Sequence, residues 1–186
     1  MAWRLDHGLD LATLAAAYGA GLRPIEVVDA VLGAIDARGD DHVWIGGALV
    51  DRARAAARRL AELDRTGLPL YGVPFAIKDN IDVASLTTTA ACPGFAHVAH
   101  ATAPVVTALE RAGAILVGKT NLDQFATGLS GCRSPYGIPG NALAPAMIPG
   151  GSSSGSAVAV AAGLVGFALG TDTAGSGRVP PMLNNL

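Results

Sequence analysis

Between Pro149 and Pro180 the chain reads PGGSSSGSAVAVAAGLVGFALGTDTAGSGRVP, two serine- and glycine-rich stretches separated by a run of small apolar residues. A free linker would leave that apolar run exposed to water, so the two stretches are expected to be loops at the ends of buried elements. The Ala-rich first half of the run from Ser156 to Leu169 suits a closely packed helix, and Val165 to Leu169 suits a buried strand. Glycine in such loops lets a substrate approach the main chain, and serine provides candidate nucleophiles on a rigid support. A phosphate-binding loop fits poorly, because the segment has neither the GxxxxGK[ST] lysine nor a GxGxxG spacing. A membrane span fails on length, since it needs roughly 20 apolar residues.

A serine hydroxyl needs a base to become a useful nucleophile. The four histidines, His7, His42, His97 and His100, lie outside the glycine-rich loops and away from convincing strand ends, so a Ser-His-Asp arrangement has no support. Lysine is the other option, and the chain has only two lysines against eleven arginines. Both end apolar runs, VPFAIK at Lys78 and AILVGK at Lys119. Burial disfavours the ammonium form and moves a lysine from about 10.4 toward the roughly 7 to 8 that suits a general base. The competing expectation is a local ion pair, Lys78 with Asp79 or Asp82 and Lys119 with Asp123, and for Lys119 that pairing is the preferred one.

Four stretches, GVPFAIKDNIDV at 72–83, GKTNLDQFATG at 118–128, PGGSSSGSAVAVAAG at 149–163 and ALGTDTAGSGRVP at 168–180, together resemble the amidase signature enzymes. The resemblance implies an α/β fold, a mixed β-sheet core flanked by helices, and a Ser-Ser-Lys triad with no metal or other cofactor. Position by position it assigns the base to Lys78, a proton-relaying serine next to an unusual cis peptide to Ser152, and the acylated nucleophile to Ser176. The backbone NH groups of Thr173, Ala174, Gly175 and Ser176 correspond to the oxyanion hole. Asp172 and Arg178 flank that turn, and an ion pair between them serves catalysis or simply fixes the turn. Ser153 and Ser154 are expected to act as loop scaffold through hydroxyl to backbone hydrogen bonds.

The stretches NIDVASLTTTAACPGFA, KTNLDQFATGLSGCRSPYG and DTAGSGRVPPMLNN are similar to the allophanate hydrolase branch of that family. This resemblance implies a small ureido carboxylate as substrate, made by biotin-dependent urea carboxylase and cleaved to ammonia and carbon dioxide, and a homodimer in full-length form. Gly128 is the pocket-wall candidate in this chain, with a helix C-cap as the other reading. Family members continue through NNxVGLKPT, and this sequence ends at Asn184-Asn185-Leu186, inside that motif. The expected organisation is therefore a helical lead-in at 1–66 and a signature α/β core at 67–186, truncated at its C-terminal side. A truncated, catalytically silent fragment is the alternative to an active enzyme, and a general amidase or a tRNA-dependent amidotransferase using the same triad is a further one.

Composition narrows the surroundings rather than the chemistry. With 51% hydrophobic and 15% charged residues in 186, the chain can bury one sizeable core and is not disordered. A net charge of −2 argues against nucleic acid as the main partner. Cys92 and Cys132 are expected to be reduced thiols, and the interrupted N-terminal apolar pattern argues against a secretory leader, which points to the cytoplasm. Helices are expected at Asp10 to Ala20, Pro24 to Arg38, Asp51 to Asp64 and Pro104 to Ala112, and strands at Val73 to Ile77 and Ile115 to Val117. On the second helix, Ile25, Val28, Val31, Leu32 and Ile35 share one face. The arginines of the third, Arg52, Arg54, Arg58 and Arg59, are expected on a solvated face.

Overall fold

The computed structural model describes residues 3–186 and builds them around a sheet rather than a helical bundle. Helix α1, Leu11–Gly19, starts where the Asp10 carboxylate accepts the Thr13 NH at 2.9 Å. Helix α2, Pro24–Arg38, begins with Pro24 in its first turn, and Glu26 reaches back to accept the Arg23 NH at 3.1 Å. Its buried face comprises Val27, Val28, Val31, Leu32 and Ile35, whereas Ile25 is only half-buried. Strand β1, Trp44–Ala48, follows, then helix α3, Val50–Ala61, which buries Ala53, Ala57 and Leu60 and turns its arginines outward. Two of these are held by carboxylates, Arg54 by Asp29 and Arg52 by Glu110, each at 2.8 Å.

Strand β2, Pro74–Lys78, is buried along its whole length. A small antiparallel pair, β3 (Thr87–Thr88) and β4 (His97–Val98), leads to helix α4, Pro104–Arg111, and to the buried strand β5, Ile115–Thr120. A long turn-rich stretch then reaches helix α5, Ser154–Ala161, strand β6, Phe167–Leu169, and the short helix α6, Val179–Leu183. The four-stranded sheet has the order β1-β5-β2-β6, with β2 parallel to both β5 and β6 and β1 antiparallel to β5. The sheet is therefore mixed and flanked by helices, as the resemblance implies.

Alternation along β2 divides the core. Ala76, Ile115 and Val117 face α1, α2, α3 and α5, while Phe75, Ile77 and Leu116 face Val106 of α4. Phe75 also stacks on Phe167 of β6, with ring centroids 5.3 Å apart. The β2–β5 register slips once: Phe75 pairs with Leu116 but Ala76 pairs with Gly118, so Val117 is bulged and Lys78 sits beside Thr120.

Strand β1 is the main element absent from the sequence reading. Its sequence, WIGGA, carries two glycines with positive φ and no apolar alternation, so neither periodicity nor propensity marks it. It becomes a strand because it lies along β5, pairing Trp44 with Thr120 and Ala48 with Gly118. The stretch up to residue 66 thus contributes an edge strand as well as helices.

Candidate active site

Parallel strands deliver their C-terminal ends to one side of a sheet, where open α/β folds place their ligands. Here β2 ends at Lys78, β5 at Thr120, and β6 leads directly into Gly170 and Thr171. Lys78 has no exposed surface, and its Nζ donates to Ser152 Oγ at 2.6 Å and to Thr171 Oγ1 at 2.7 Å. Burial lowers the Lys78 ammonium to about 8, against a partial opposing pull from the Asp123 and Asp172 carboxylates. Roughly a tenth of Lys78 is therefore neutral at pH 7, and that fraction grows as pH rises toward 8.

The serine loops reach Lys78 because helix α5 places them there. Ser152 is fully buried in the turn before α5, and the Gly151–Ser152 peptide is cis. The small residues of α5, with Ser154 to Ala159 all buried, let its backbone lie close to β2, β5 and β6. The Ser156 hydroxyl donates to the Leu169 carbonyl at 3.0 Å and lies 2.7 Å from Thr120 Oγ1, joining α5 to two strand ends. Ser153 joins the two serine loops: its NH donates to the Ser176 carbonyl at 3.2 Å, and its hydroxyl exchanges two 3.3 Å bonds with the Thr171 backbone. Scaffolding by Ser153 follows expectation, but the Ser154 hydroxyl is buried with no partner among the described residues.

Ser176 is 7% exposed and lies one hydrogen bond from the Ser152 loop, through its own carbonyl. Among the described residues no hydrogen bond joins its hydroxyl to Ser152 or Lys78. In the turn before it, the Gly175 NH donates to Asp172 Oδ1 at 2.7 Å, whereas those of Thr173, Ala174 and Ser176 donate to no acceptor among the described residues. Arg178 grips the same carboxylate, Nε to Oδ2 at 2.8 Å and Nη2 to Oδ1 at 3.2 Å. Hydrogen bonds from Arg178 and from the Gly175 NH hold the Asp172 carboxyl well below the usual carboxylate range. A cleft of about 230 Å³ opens beside this turn, lined by Ser153, Thr171, Asp172 and Gly177 among others. A larger cleft, about 870 Å³, lies elsewhere, between α2, β1 and Tyr136, and holds none of the sequence-predicted site residues.

Lys119 departs from the expected pairing. Its Nζ lies 2.8 Å from Asp79 Oδ1, at an angle outside hydrogen-bonding geometry, and donates to the Thr87 carbonyl and the Thr88 hydroxyl at 2.9 and 2.8 Å. The reason is the sheet: the bulge puts Lys119 opposite Ile77, on the face shared by Ile77 and Asp79. Asp123, the expected partner, instead accepts the NH groups of Gly131 and Arg133 at 3.0 and 2.8 Å. Gly128 follows a 3-10 turn, Gln124–Ala126, so no α-helix ends there, and a methyl group on it would come within 2.7 Å of Asp123 Oδ2. Cys92 and Cys132 are free thiols. Among the described residues no helix is long and apolar enough to cross a membrane.

Thr171 and Asp123 are the two site-lining groups that sequence reasoning passed over. Thr171 has a usable signal, since it is the first hydroxyl after the apolar, half-buried strand β6. Asp123 has none by itself, because its role depends on which loop returns to cover it.

The geometry can be set beside known proteins. The chain is 66% identical over 119 residues to the urea amidolyase of Saccharomyces cerevisiae, covering 64% of this chain and 6% of that protein. It is 43% identical over 184 residues to a glutamyl-tRNA(Gln) amidotransferase polypeptide of Chloroflexus aurantiacus, covering 95% of this chain and 37% of the relative. The solved structure of Kluyveromyces lactis allophanate hydrolase superposes with a TM-score of 0.82 at 41% identity, covering 92% of this chain and 28% of that one. The chain thus spans well under half the length of each of these relatives. The family model described as Amidase matches residues 26–186. Because that match takes in every strand of the sheet and both serine loops, this chain belongs to the amidase family.

Proposed function

We propose that the chain carries the catalytic half-site of an amidohydrolase of the allophanate hydrolase type, working through a Ser-Ser-Lys triad and an acyl-enzyme. The observation that carries this reading is the buried Lys78 Nζ, 2.6 Å from Ser152 Oγ and with hydroxyls rather than a carboxylate in contact. In the proposed step the Ser176 oxygen attacks the carbonyl carbon of the scissile C–N bond. Its proton passes to the Ser152 oxygen as the Ser152 proton passes to neutral Lys78. The oxyanion that forms is received by the NH groups of Thr173, Ala174 and Ser176, while the Gly175 NH holds Asp172 and so shapes the turn. Collapse breaks the C–N bond, and the proton returns from Lys78 through Ser152 to the leaving nitrogen, releasing ammonia. Water then enters by the same relay and frees Ser176.

The substrate we favour is allophanate, a small ureido carboxylate supplied by a urea carboxylase. The 66% identity to a urea amidolyase over 119 residues, against 43% to a tRNA-dependent amidotransferase over a longer span of 184, supports it over amide transfer on a tRNA. Incubating the purified chain with allophanate should release ammonia, and Ser176→Ala should abolish the release. No ammonia from a folded chain would overturn this reading in favour of a catalytically silent polypeptide.

A further inference from the structure

Asp123 is fully buried in the loop after β5, and no arginine or lysine ion-pairs with it among the described residues. Its carboxylate is held by backbone alone, through the NH groups of Gly131 and Arg133. Its own NH donates to the Ser152 carbonyl at 3.1 Å. The carboxylate also fills the space where a side chain at residue 151 would go: a methyl group on Gly151 would overlap Asp123 Oδ2. One residue therefore touches both sides of the Gly151–Ser152 turn that presents a hydroxyl to Lys78.

The other charges around Lys78 are spoken for. Asp79, the residue just past the end of β2, points to the opposite sheet face and meets Lys119 of β5. Asp172, after β6, is gripped by Arg178. The Arg133 guanidinium reaches away to the Thr127 carbonyl. We propose that Asp123 is a positioning residue for Lys78 and Ser152: it fixes the path of the Ser152 turn, and it supplies a buried negative charge behind the site that no cation pairs among the described residues. That charge moderates how easily Lys78 gives up its proton, in line with the raising influence of Asp123 on the Lys78 ammonium. The proposal rests on the reading of Lys78 and Ser152 as a proton-handling pair, but it is tested on Lys78 itself rather than on turnover.

The chain contains two lysines, so selective ¹³Cε-lysine labelling gives two side-chain signals, assigned with Lys78→Arg. In Asp123→Asn, which keeps the shape and removes the charge, the Lys78 midpoint should fall by about half a unit or more, a threefold or greater loss of proton affinity. The Lys119 signal should not follow. A purely structural Asp123 would lower stability and leave the Lys78 midpoint in place, which would overturn the proposal. The asparagine amide must face one backbone NH, so the variant could unfold. The unsubstituted chain then decides: ¹³Cγ-aspartate labelling should show the Asp123 signal inflecting at the Lys78 midpoint, and a flat response there would overturn the proposal too. Both titrations can succeed where ammonia release fails, which separates this inference from the proposed function.

Discussion

Lys78 is the last residue of β2 and Lys119 the last but one of its parallel neighbour β5; both are buried, yet one meets hydroxyls and the other a carboxylate. Lys78 points toward α5 and the serine loops, where Ser152 and Thr171 can share a proton with it but cannot neutralise its charge. Lys119 points toward the β3–β4 pair, where Asp79 neutralises it and Thr87 and Thr88 complete its bonds. A buried ammonium with a matched carboxylate is a structural tie, and one with only hydroxyls is poised to lose its proton. The same residue type, one strand apart, thus serves two ends.

The sharpest way to break this comparison is to remove each lysine in turn. If the functional reading holds, Lys78→Met should lower kcat/KM for ammonia release on the order of 10³-fold, and a variant keeping a tenth of the activity would sink the general-base role. Lys119→Met should act on stability instead, leaving the Asp79 carboxylate buried and uncompensated at a cost of about 3–5 kcal/mol in urea unfolding. A smaller but more diagnostic effect lies in pH. The folded chain holds Lys78 at about 8 against 10.5 for a free lysine, so the penalty for burying the ammonium is fully present below pH 8. It is relieved as pH rises, because between about 8 and 10.5 the unfolded chain still binds the proton that the folded chain has released. Unfolding free energy should therefore climb across that window by an amount on the order of 1–3 kcal/mol, and Lys78→Met should flatten the climb. Catalysis should fall on the acid side of the same midpoint, where neutral Lys78 is depleted. Smallest of all, Ser153→Ala removes the hydroxyl bonds that tie the two serine loops through Thr171, for about 1 kcal/mol in thermal unfolding.

Much of the site could be read from the chain before its shape was known. Lys78 and Ser152 fall in motif stretches whose local structure is set by their own sequence, an apolar strand ending in a lysine and a serine turn opening a helix. The structure brings those two into contact and ties the Ser176 turn to the adjacent Ser153 by a backbone hydrogen bond. The helices from Pro24 and from Pro104 were legible for the same local reason, with proline in the first turn and a clear apolar face. Lys119 was not, because its partner depends on strand register, which sequence spacing does not report. Nearness in sequence pairs Lys119 with Asp123, and only the alternation of β2 against β5 brings Asp79 to it instead. Asp123 and β1 share that difficulty, since each takes its role from a segment distant in the chain.

The bulge at Val117 carries a consequence for the charge layout of the whole sheet. With an unbroken ladder, Pro74 opposite Ile115 would continue to Lys78 opposite Lys119, two ammonium groups side by side on one face, on strands about 4.8 Å apart. One extra residue in β5 prevents that encounter and sends the two positive charges through opposite surfaces of the sheet. Deleting Val117 would leave every candidate site residue in place in the sequence while crowding a second cation against the first, so a single backbone residue with no polar atom in its side chain keeps the two lysines' chemistry apart.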